Sequence, residues 1–498
     1  MSLLAVLTVL LIPLVVSALA GWRPWVGWVH VAAGVGLVSA GTWLAVTVLD
    51  SGPVSFVDGL LRADALSAFW ILAIGVITTL AAWYGTAYMR SELDEGRTTP
   101  QAARAYGVLV AVFIEAMLIA VSTDNLGLMW VAIESTTIAS VFLVGYRRSR
   151  RSLEASWKYV MIGSVGVAVA LLGTVLVYYA ARHSMSADTA LSWTSLTASG
   201  VRLQGPTLRL AIGFVIVGFG TKAGLAPMHT WLPDSYSEAP TPVGAMMSGV
   251  LSSVALYAIL RYRVIADVSL GPGYVRGLLI AGGLLSLFVA ASLLIGQRDY
   301  KRLLAYSSIE NMAIMALGAA AGSTLAITAV LLHVIGHGLV KCTLFFGSGE
   351  LERTEGSTRI AHLTGLLRRN PMIAGLFCLG LVALVGFPPF SLFASEIGIV
   401  RGGFDAGLGW VMAFALILLL VAVASIGAHT QRMLLGPDPQ LGAGPLPGSP
   451  SPDSSMPGAR PVASWAPLAL ALTVCAVLGV TTWPIDRLLA AAAAIAVN

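Results

Sequence analysis

Charge is what this sequence has least of: Asp, Glu, Lys and Arg make up 11% of its 498 residues, where a soluble domain carries about a quarter. With 57% hydrophobic residues and a mean hydropathy of +0.85, a water-soluble fold of this length is excluded. Cysteine is also rare. Cys342, Cys378 and Cys475 lie inside apolar runs and form neither a CxxC pair nor a Cys/His cluster, so neither a disulfide framework nor an iron–sulfur or other metal site is expected on this chain. There is no phosphate-binding glycine loop and no nucleophile constellation, which argues against independent catalysis. The net charge of +5 comes from basic residues in short loops, not from a stripe that would track nucleic acid, and no nucleic-acid partner is expected.

What the sequence does have is apolar length. Runs able to cross a hydrocarbon core of about 30 Å, which takes about 20 helical residues, recur almost from end to end. They predict an all-α integral membrane protein with about 14 transmembrane helices embedded in a lipid bilayer. The spans start near Ser2, Trp25, Ala65, Ala105, Asp124, Trp157, Leu208, Pro240, Tyr274, Leu303, Thr324, Pro371, Ala406 and Ala463. The first lacks a basic start and a small-residue cleavage site and reads as a retained helix. Loops after odd-numbered spans hold roughly 18 Lys and Arg, the remaining loops and termini about 9. That bias puts Arg147, Arg148, Arg150, Arg151, Arg298, Lys301 and Arg302 in the cytoplasm and both termini outside it. Residues 436–462, rich in Pro, Gly and Ser, read as a flexible cytoplasmic loop. Residues 483–498 are too short for another crossing and too weakly polar for a surface helix.

A charged side chain at mid-bilayer costs about 2.5 to 3.5 kcal/mol, so several in one bundle need partners or a purpose. Glu115 and Glu134 fall in the fourth and fifth spans, Lys222 in the seventh, Glu310 in the tenth, His333, His337 and Lys341 in the eleventh and Glu396 in the twelfth. His333, His337 and Lys341 recur every four residues and so share one helix face. Three titratable groups on one face read as a proton relay; the competing reading is a haem- or quinone-binding anchor with histidine ligands and a snorkelling lysine.

Two spans are interrupted beside their charges, at Pro227 in the seventh and at Pro388 and Pro389 in the twelfth, because proline removes a backbone donor. Broken helices in corresponding places point to inverted-repeat ion transporters. The expected organisation is residues 1–104 for helices 1–3, 105–265 for a first inverted five-helix repeat (helices 4–8), 266–435 for a second (helices 9–13), 436–462 for the loop and 463–498 for the last helix and tail.

The stretch Lys222-Ala223-Gly224-Leu225-Ala226-Pro227-Met228-His229-Thr230-Trp231-Leu232-Pro233-Asp234, running on through Glu238-Ala239-Pro240-Thr241-Pro242, resembles the signature of the antiporter-like subunits of respiratory complex I, membrane-bound hydrogenases and multisubunit cation/proton antiporters. Lys301-Arg302-Leu303-Leu304-Ala305-Tyr306-Ser307-Ser308 and the helix from His333 to Phe346 match as well. Ser308-Ile309-Glu310-Asn311-Met312 and Asn125 to Thr137 are most similar to the F-type subunit of hydrogenase-4.

The resemblance implies a proton-translocating subunit in a bacterial-type inner membrane. Iron–sulfur clusters, nickel–iron or quinone would lie only on partner subunits, among them other membrane subunits and a peripheral cytoplasmic redox module. It implies proton-path roles for Glu134, Lys222, His229, His333, His337, Lys341 and Glu396. Glu115, Glu310, Ser253, Asp234 and Glu238 are accessory candidates. Ser253 stands where complex I subunits usually place a lysine, so the link between the two halves is expected through water, His229 or Glu310. If Glu134 and Lys222 face each other at about 8 Å with an effective dielectric near 20, their attraction is about 2 kcal/mol. Related readings are a sodium/proton antiporter subunit and the membrane partner of a bicarbonate-concentrating complex.

Overall fold

The computed structural model describes residues 1–198, 203, 205–437, 465–483 and 485–497, so nearly all of the expected loop at 436–462 lies outside the described residues. With no water in the bilayer core, each backbone N–H and C=O must be satisfied within its own segment, and apolar runs become helices. Polar side chains fix where they start: Asp64, Thr99, Asn125, Ser149, Asp299 and Ser323 each accept a hydrogen bond from a backbone N–H of the first turn, as N-caps do.

The chain runs through α1 (Ser2–Ala20), α2 (Pro24–Ser51), a small antiparallel hairpin of β1 (Val54–Phe56) and β2 (Leu61–Ala63), then α3 (Ala65–Asp94), α4 (Pro100–Val121), α5 (Leu126–Arg147) and α6 (Arg150–Ala181). It continues through α7 (Gly205–Ala223), α8 (Trp231–Glu238), α9 (Thr241–Leu270), α10 (Gly273–Ile295), α11 (Tyr300–Ala321) and α12 (Thr324–Glu355). The last elements are α13 (Pro371–Leu384), α14 (Ser391–Asp405), α15 (Gly409–Leu435), α16 (Ala466–Val480) and α17 (Asp486–Val497). Among the described residues 12 helices are long and apolar enough to cross a membrane, and α13 and α16 are shorter apolar helices. Helices α9, α11 and α12 are buried almost throughout, whereas α2, α6, α10 and α15 turn large apolar side chains outward.

The seventh expected span is two helices, α7 and α8, separated by residues 224–230, and the twelfth is α13 and α14, separated by residues 385–390. The Ala226–Pro227 and Pro388–Pro389 peptides are cis. Gly386 has φ +69°, and a Cβ there would collide with the Glu396 carboxylate; only glycine meets both conditions. Helix α9 carries one π turn, Met247–Leu251. There a Cβ on Gly249 would lie 3.3 Å from the Gly338 Cα of α12, so the two backbones nearly touch.

Ion pairs fix which helix ends meet. At one end Arg147 of α5 and Lys301 of α11 share Glu352 of α12 at 3.3 and 2.6 Å. Asp234 of α8 holds Lys158 of α6 at 2.9 Å and Arg302 of α11 at 3.1 Å. These are the ends whose loops the charge count groups together. At the opposite end Arg261, late in α9, forks onto Asp64, the cap of α3, with both nitrogen–oxygen distances 2.7 Å. Its guanidinium lies 4.4 Å from the Trp193 ring centroid and 4.9 Å from that of Tyr257, contacts that favour a cation. Both partners are buried. Removing one leaves an uncompensated buried charge at a cost of about 3–5 kcal/mol. Arg261→Gln is therefore expected to lower the thermal unfolding midpoint of the purified protein markedly, and an unchanged midpoint in a detergent melt would show that the pair is dispensable.

The alanine-rich tail, for which no helix is expected, forms α17. Alanine has the highest helix propensity, and Leu488, Leu489, Ala492, Ala493 and Ala496 make one buried face that packs on α3 and α12.

Candidate functional site

Lys222 and Glu134 form one cluster of ionisable groups inside the bundle, and Glu310, His333, His337, Lys341 and Glu396 a second. In the first, Lys222 occupies the last turn of α7, where the negative end of the helix dipole favours a cation. It is fully buried, and its Nζ donates to Thr137 Oγ1 at 2.8 Å and to the Tyr159 hydroxyl at 2.7 Å. Thr137 lies three residues after Glu134 on α5, hence on the same face, and donates to Glu134 Oε2 at 3.1 Å. Ser164 of α6 donates to the other carboxylate oxygen at 3.1 Å. Acid and base are thus joined through one hydroxyl, not by a direct ion pair. Tyr159 and Ser140 hydroxyls lie 2.8 Å apart and extend the network.

The second cluster is built by α11, α12 and α14. Lys341 Nζ donates to the Leu304 carbonyl at 2.7 Å and to Ser307 Oγ at 2.6 Å. Glu310, three residues on from Ser307, is buried, with one carboxylate oxygen free of any hydrogen-bond partner. It lies within electrostatic reach of both Lys341 and Glu396. His333 Nε2 is 2.9 Å from Asn311 Oδ1 and its Nδ1 is 2.9 Å from Ser395 Oγ, so it ties together the chain neighbours of Glu310 and Glu396. His337 stacks on His333 with centroids 6.3 Å apart, and its ring nitrogens make no hydrogen bond of good geometry, the Ser248 backbone of α9 being the polar group within reach.

No side-chain hydrogen bond among the described residues joins one cluster to the other. Between them stands an aromatic ladder. Tyr159 stacks on Trp231 at 4.7 Å, Trp231 meets Tyr236 edge-on at 5.9 Å, and Tyr236 lies 6.3 Å from Phe345. The Tyr236 hydroxyl is 2.7 Å from Ser252 Oγ and donates to the Met247 carbonyl, at the π turn, at 3.0 Å. Near the same turn Ser248 and Ser308 hydroxyls lie 2.8 Å apart. Tyr236→Phe is expected to slow proton translocation several-fold without impairing assembly, as read by redox-driven acidification of proteoliposomes. An unchanged rate would take this hydroxyl out of the connection.

His229 and the accessory candidates separate in space. Ser253 Oγ donates to the Val250 carbonyl of its own helix and reaches neither cluster; Ser248, five residues earlier, is the α9 hydroxyl bonded across to α11. His229 sits in the break between α7 and α8, buried, with Nδ1 free of a partner. It bonds to none of the other candidates. Glu115 on α4 is half-buried with one buried unpartnered oxygen and joins neither cluster. Asp234 and Glu238 line the charged end of the bundle. Pro227, Pro388 and Pro389 all lie within the breaks.

Among the described residues no three His, Cys, Asp or Glu side chains converge as a metal site. His333 and His337 project in parallel from one helix, with 14° between their planes, so they cannot face each other across one haem.

Sequence reasoning found the charges and missed the groups that hold them: Thr137, Tyr159, Ser164, Ser307, Asn311, Ser395 and the Tyr236 hydroxyl. A signal was present in part, since Thr137 and Ser307 each stand three residues from a buried glutamate.

Residues 123–422 match the family model described as NADH:quinone oxidoreductase/Mrp antiporter, TM. Over 371 residues, 72% of this chain and 78% of the relative, the sequence is 38% identical to the hydrogenase-4 component F homolog of Methylacidiphilum infernorum. Over 403 residues, 76% of this chain and 77% of the relative, it is 32% identical to NADH-quinone oxidoreductase subunit N of Desulforudis audaxviator. A chain of the membrane-bound sulfane sulfur reductase, an archaeal respiratory membrane complex, superposes with a TM-score of 0.84 over 100% of this chain and 98% of its own, at 24% identity, and so shares the fold. With matched helices that hold Glu134, Lys222, Glu310, Lys341 and Glu396, the chain belongs to the NADH:quinone oxidoreductase/Mrp antiporter transmembrane family.

Proposed function

We propose that this chain is the proton-translocating membrane subunit of an energy-converting oxidoreductase complex, akin to hydrogenase-4 or NADH:quinone oxidoreductase. The reading rests on one observation: titratable side chains are buried in two clusters, each beside a broken helix, where an idle charge would only cost stability. Residues 105–265 and 266–435 act as two repeats, one carrying Glu134 and Lys222, the other Glu310, His333, His337, Lys341 and Glu396. The basic end of the bundle faces the cytoplasm, in a bacterial-type inner membrane. Other membrane subunits pack beside the chain, a peripheral cytoplasmic module carries the redox chemistry, and this chain holds no redox centre.

The physical step is charge separation. Glu134 and Lys222 attract through Thr137, at about 2 kcal/mol for a separation of about 8 Å and a dielectric near 20. When events on a partner draw the carboxylate away, Lys222 loses that support and releases its proton toward the second cluster. There Lys341, Glu310 and Glu396 alternate as base, acid and base. Glu310 is the group able to hold a charge between the other two, which makes it a carrier in the path.

The test is reconstitution of the parent complex, purified gently from native membranes, into proteoliposomes. Redox-driven acidification that persists without sodium supports proton translocation, whereas a strict sodium requirement transfers the chain to the sodium/proton antiporter reading. Nickel and iron–sulfur signals in the same preparation assign a hydrogenase-like parent; co-purification with antiporter subunits alone assigns the other. A Soret band carried by this chain would revive the haem-anchor reading.

A further inference from the structure

A cavity of about 960 Å³ lies outside both clusters, at the basic end of the bundle. Eight lysines and arginines line it against five carboxylates, an excess of three positive charges. Most of the carboxylates are already engaged. Asp234 and Glu352 each hold two cations, Glu154 pairs with Lys158, and Asp299 caps α11 while accepting from Thr358. Among the described residues Arg298, Arg359 and Arg432 line the cavity without a carboxylate at ion-pair distance, and Arg151 is in electrostatic reach of Glu238.

These four arginines come from segments far apart in sequence: the first turn of α6, the loop before α11, the loop after α12 and the last turn of α15. A topological bias toward basic loops would scatter such residues over the surface facing water. Here they converge on one hollow, at the level where helix ends meet the membrane boundary. Guanidinium groups are planar forks suited to paired hydrogen bonds with phosphate oxygens. Basic pockets between transmembrane helices at this depth are places where anionic head groups settle.

We propose that this cavity is a binding site for a phosphate-bearing anion, held by Arg298, Arg359 and Arg432 with Arg151 in support. The same chemistry is offered by the head group of an anionic phospholipid and by free phosphate. Occupancy would neutralise the excess charge and bridge α6, α11 and α15 at their ends. The four arginines are not among the proton-path residues, although the accessory candidates Asp234 and Glu238 line the same cavity.

The experiment uses the intact complex, delipidated and placed in phosphatidylcholine nanodiscs with or without a minor fraction of cardiolipin, and native mass spectrometry counts the cardiolipin retained. A second arm titrates inorganic phosphate into the complex in detergent and follows binding calorimetrically. The comparison is with the Arg298→Gln/Arg432→Gln double variant and with Arg298→Lys/Arg432→Lys, which keeps the charge but not the fork. The expected result is at least a tenfold loss of cardiolipin retention in the glutamine variant and partial recovery in the lysine variant. The unfolding midpoint measured without cardiolipin should stay unchanged. Loss confined to the phosphate arm would assign the site to the soluble anion. Equal binding by wild type and glutamine variant in both arms would overturn the proposal.

Discussion

Replacing Lys222 by methionine is expected to lower proton translocation by roughly 100-fold, the lower end of what a positioned acid or base contributes to proton transfer, while the complex still assembles. Methionine fills most of the space of the lysine stem and leaves Thr137 and Tyr159 to pair with other hydroxyls, so the loss reads on the ammonium group. The decisive companion is Lys222→Arg. If Lys222 merely kept Glu134 ionised as a fixed counter-ion, arginine would supply the charge and restore function. A relay has to let the proton go, and a guanidinium holds it at every physiological pH. Translocation should therefore fail in both variants, measured as redox-driven acidification in proteoliposomes, with an assembly check by native gel. A pumping arginine variant would reduce Lys222 to an electrostatic support.

Glu310→Gln is expected to be equally severe. Glutamine keeps the size of the side chain and its hydrogen-bonding capacity but cannot take up and release a proton. Because Glu310 reaches both Lys341 and Glu396, the substitution removes the only carboxylate within reach of both among the described residues. Glu396→Gln should interrupt the path at its next member, past the break at Gly386. The two single losses should not multiply in the double variant, since residues acting in series fail as a unit. Losses that multiply would mean that the two carboxylates serve separate routes.

Much of this arrangement was legible in the sequence because membrane chemistry is local. A Lys or Glu flanked on both sides by apolar residues declares itself, as Lys222, Glu310 and Lys341 do, and a proline beside it declares a broken helix. The four-residue spacing of His333, His337 and Lys341 gave their common face before any coordinates. What escaped was non-local. Tyr159 joins Lys222 from 63 residues away and Ser395 joins His333 from 62; nothing in an apolar helix says which hydroxyl will meet which charge. Asp64 and Arg261, 197 residues apart, each look like an ordinary helix-end residue until the fold pairs them. Nor does the sequence show that Tyr159, Trp231 and Tyr236 stand between the two clusters. Ser253, which stands where complex I subunits usually place a lysine, is bonded to its own helix, and Ser248 at the π turn is the α9 hydroxyl that reaches across to α11. The tail at α17 escaped for a different reason: a run of alanine is too small and too uniform to show which face it will bury.

The division into clusters also locates control. On the proposed path, protons would pass within each cluster over hydrogen-bonded or charge-coupled neighbours and would cross between the clusters at the aromatic ladder, next to a π turn, and such turns recur at functional sites. A small rotation of α9 there would move Ser248, the backbone that receives the Tyr236 hydroxyl, and the Gly249–Gly338 contact together. On that path, the connection between the clusters would be the step most open to gating by a neighbouring subunit.

Infrared difference spectroscopy of the intact complex during turnover, on wild type and on Glu310→Gln, observes the proton on its carrier. The wild type should show a carboxylic C=O band that appears and disappears with turnover and shifts in heavy water, and the glutamine variant should lack it and fail to acidify proteoliposomes. If Glu310→Gln pumps at the wild-type rate with the same carboxyl bands, protons do not travel through the buried acids and bases described here.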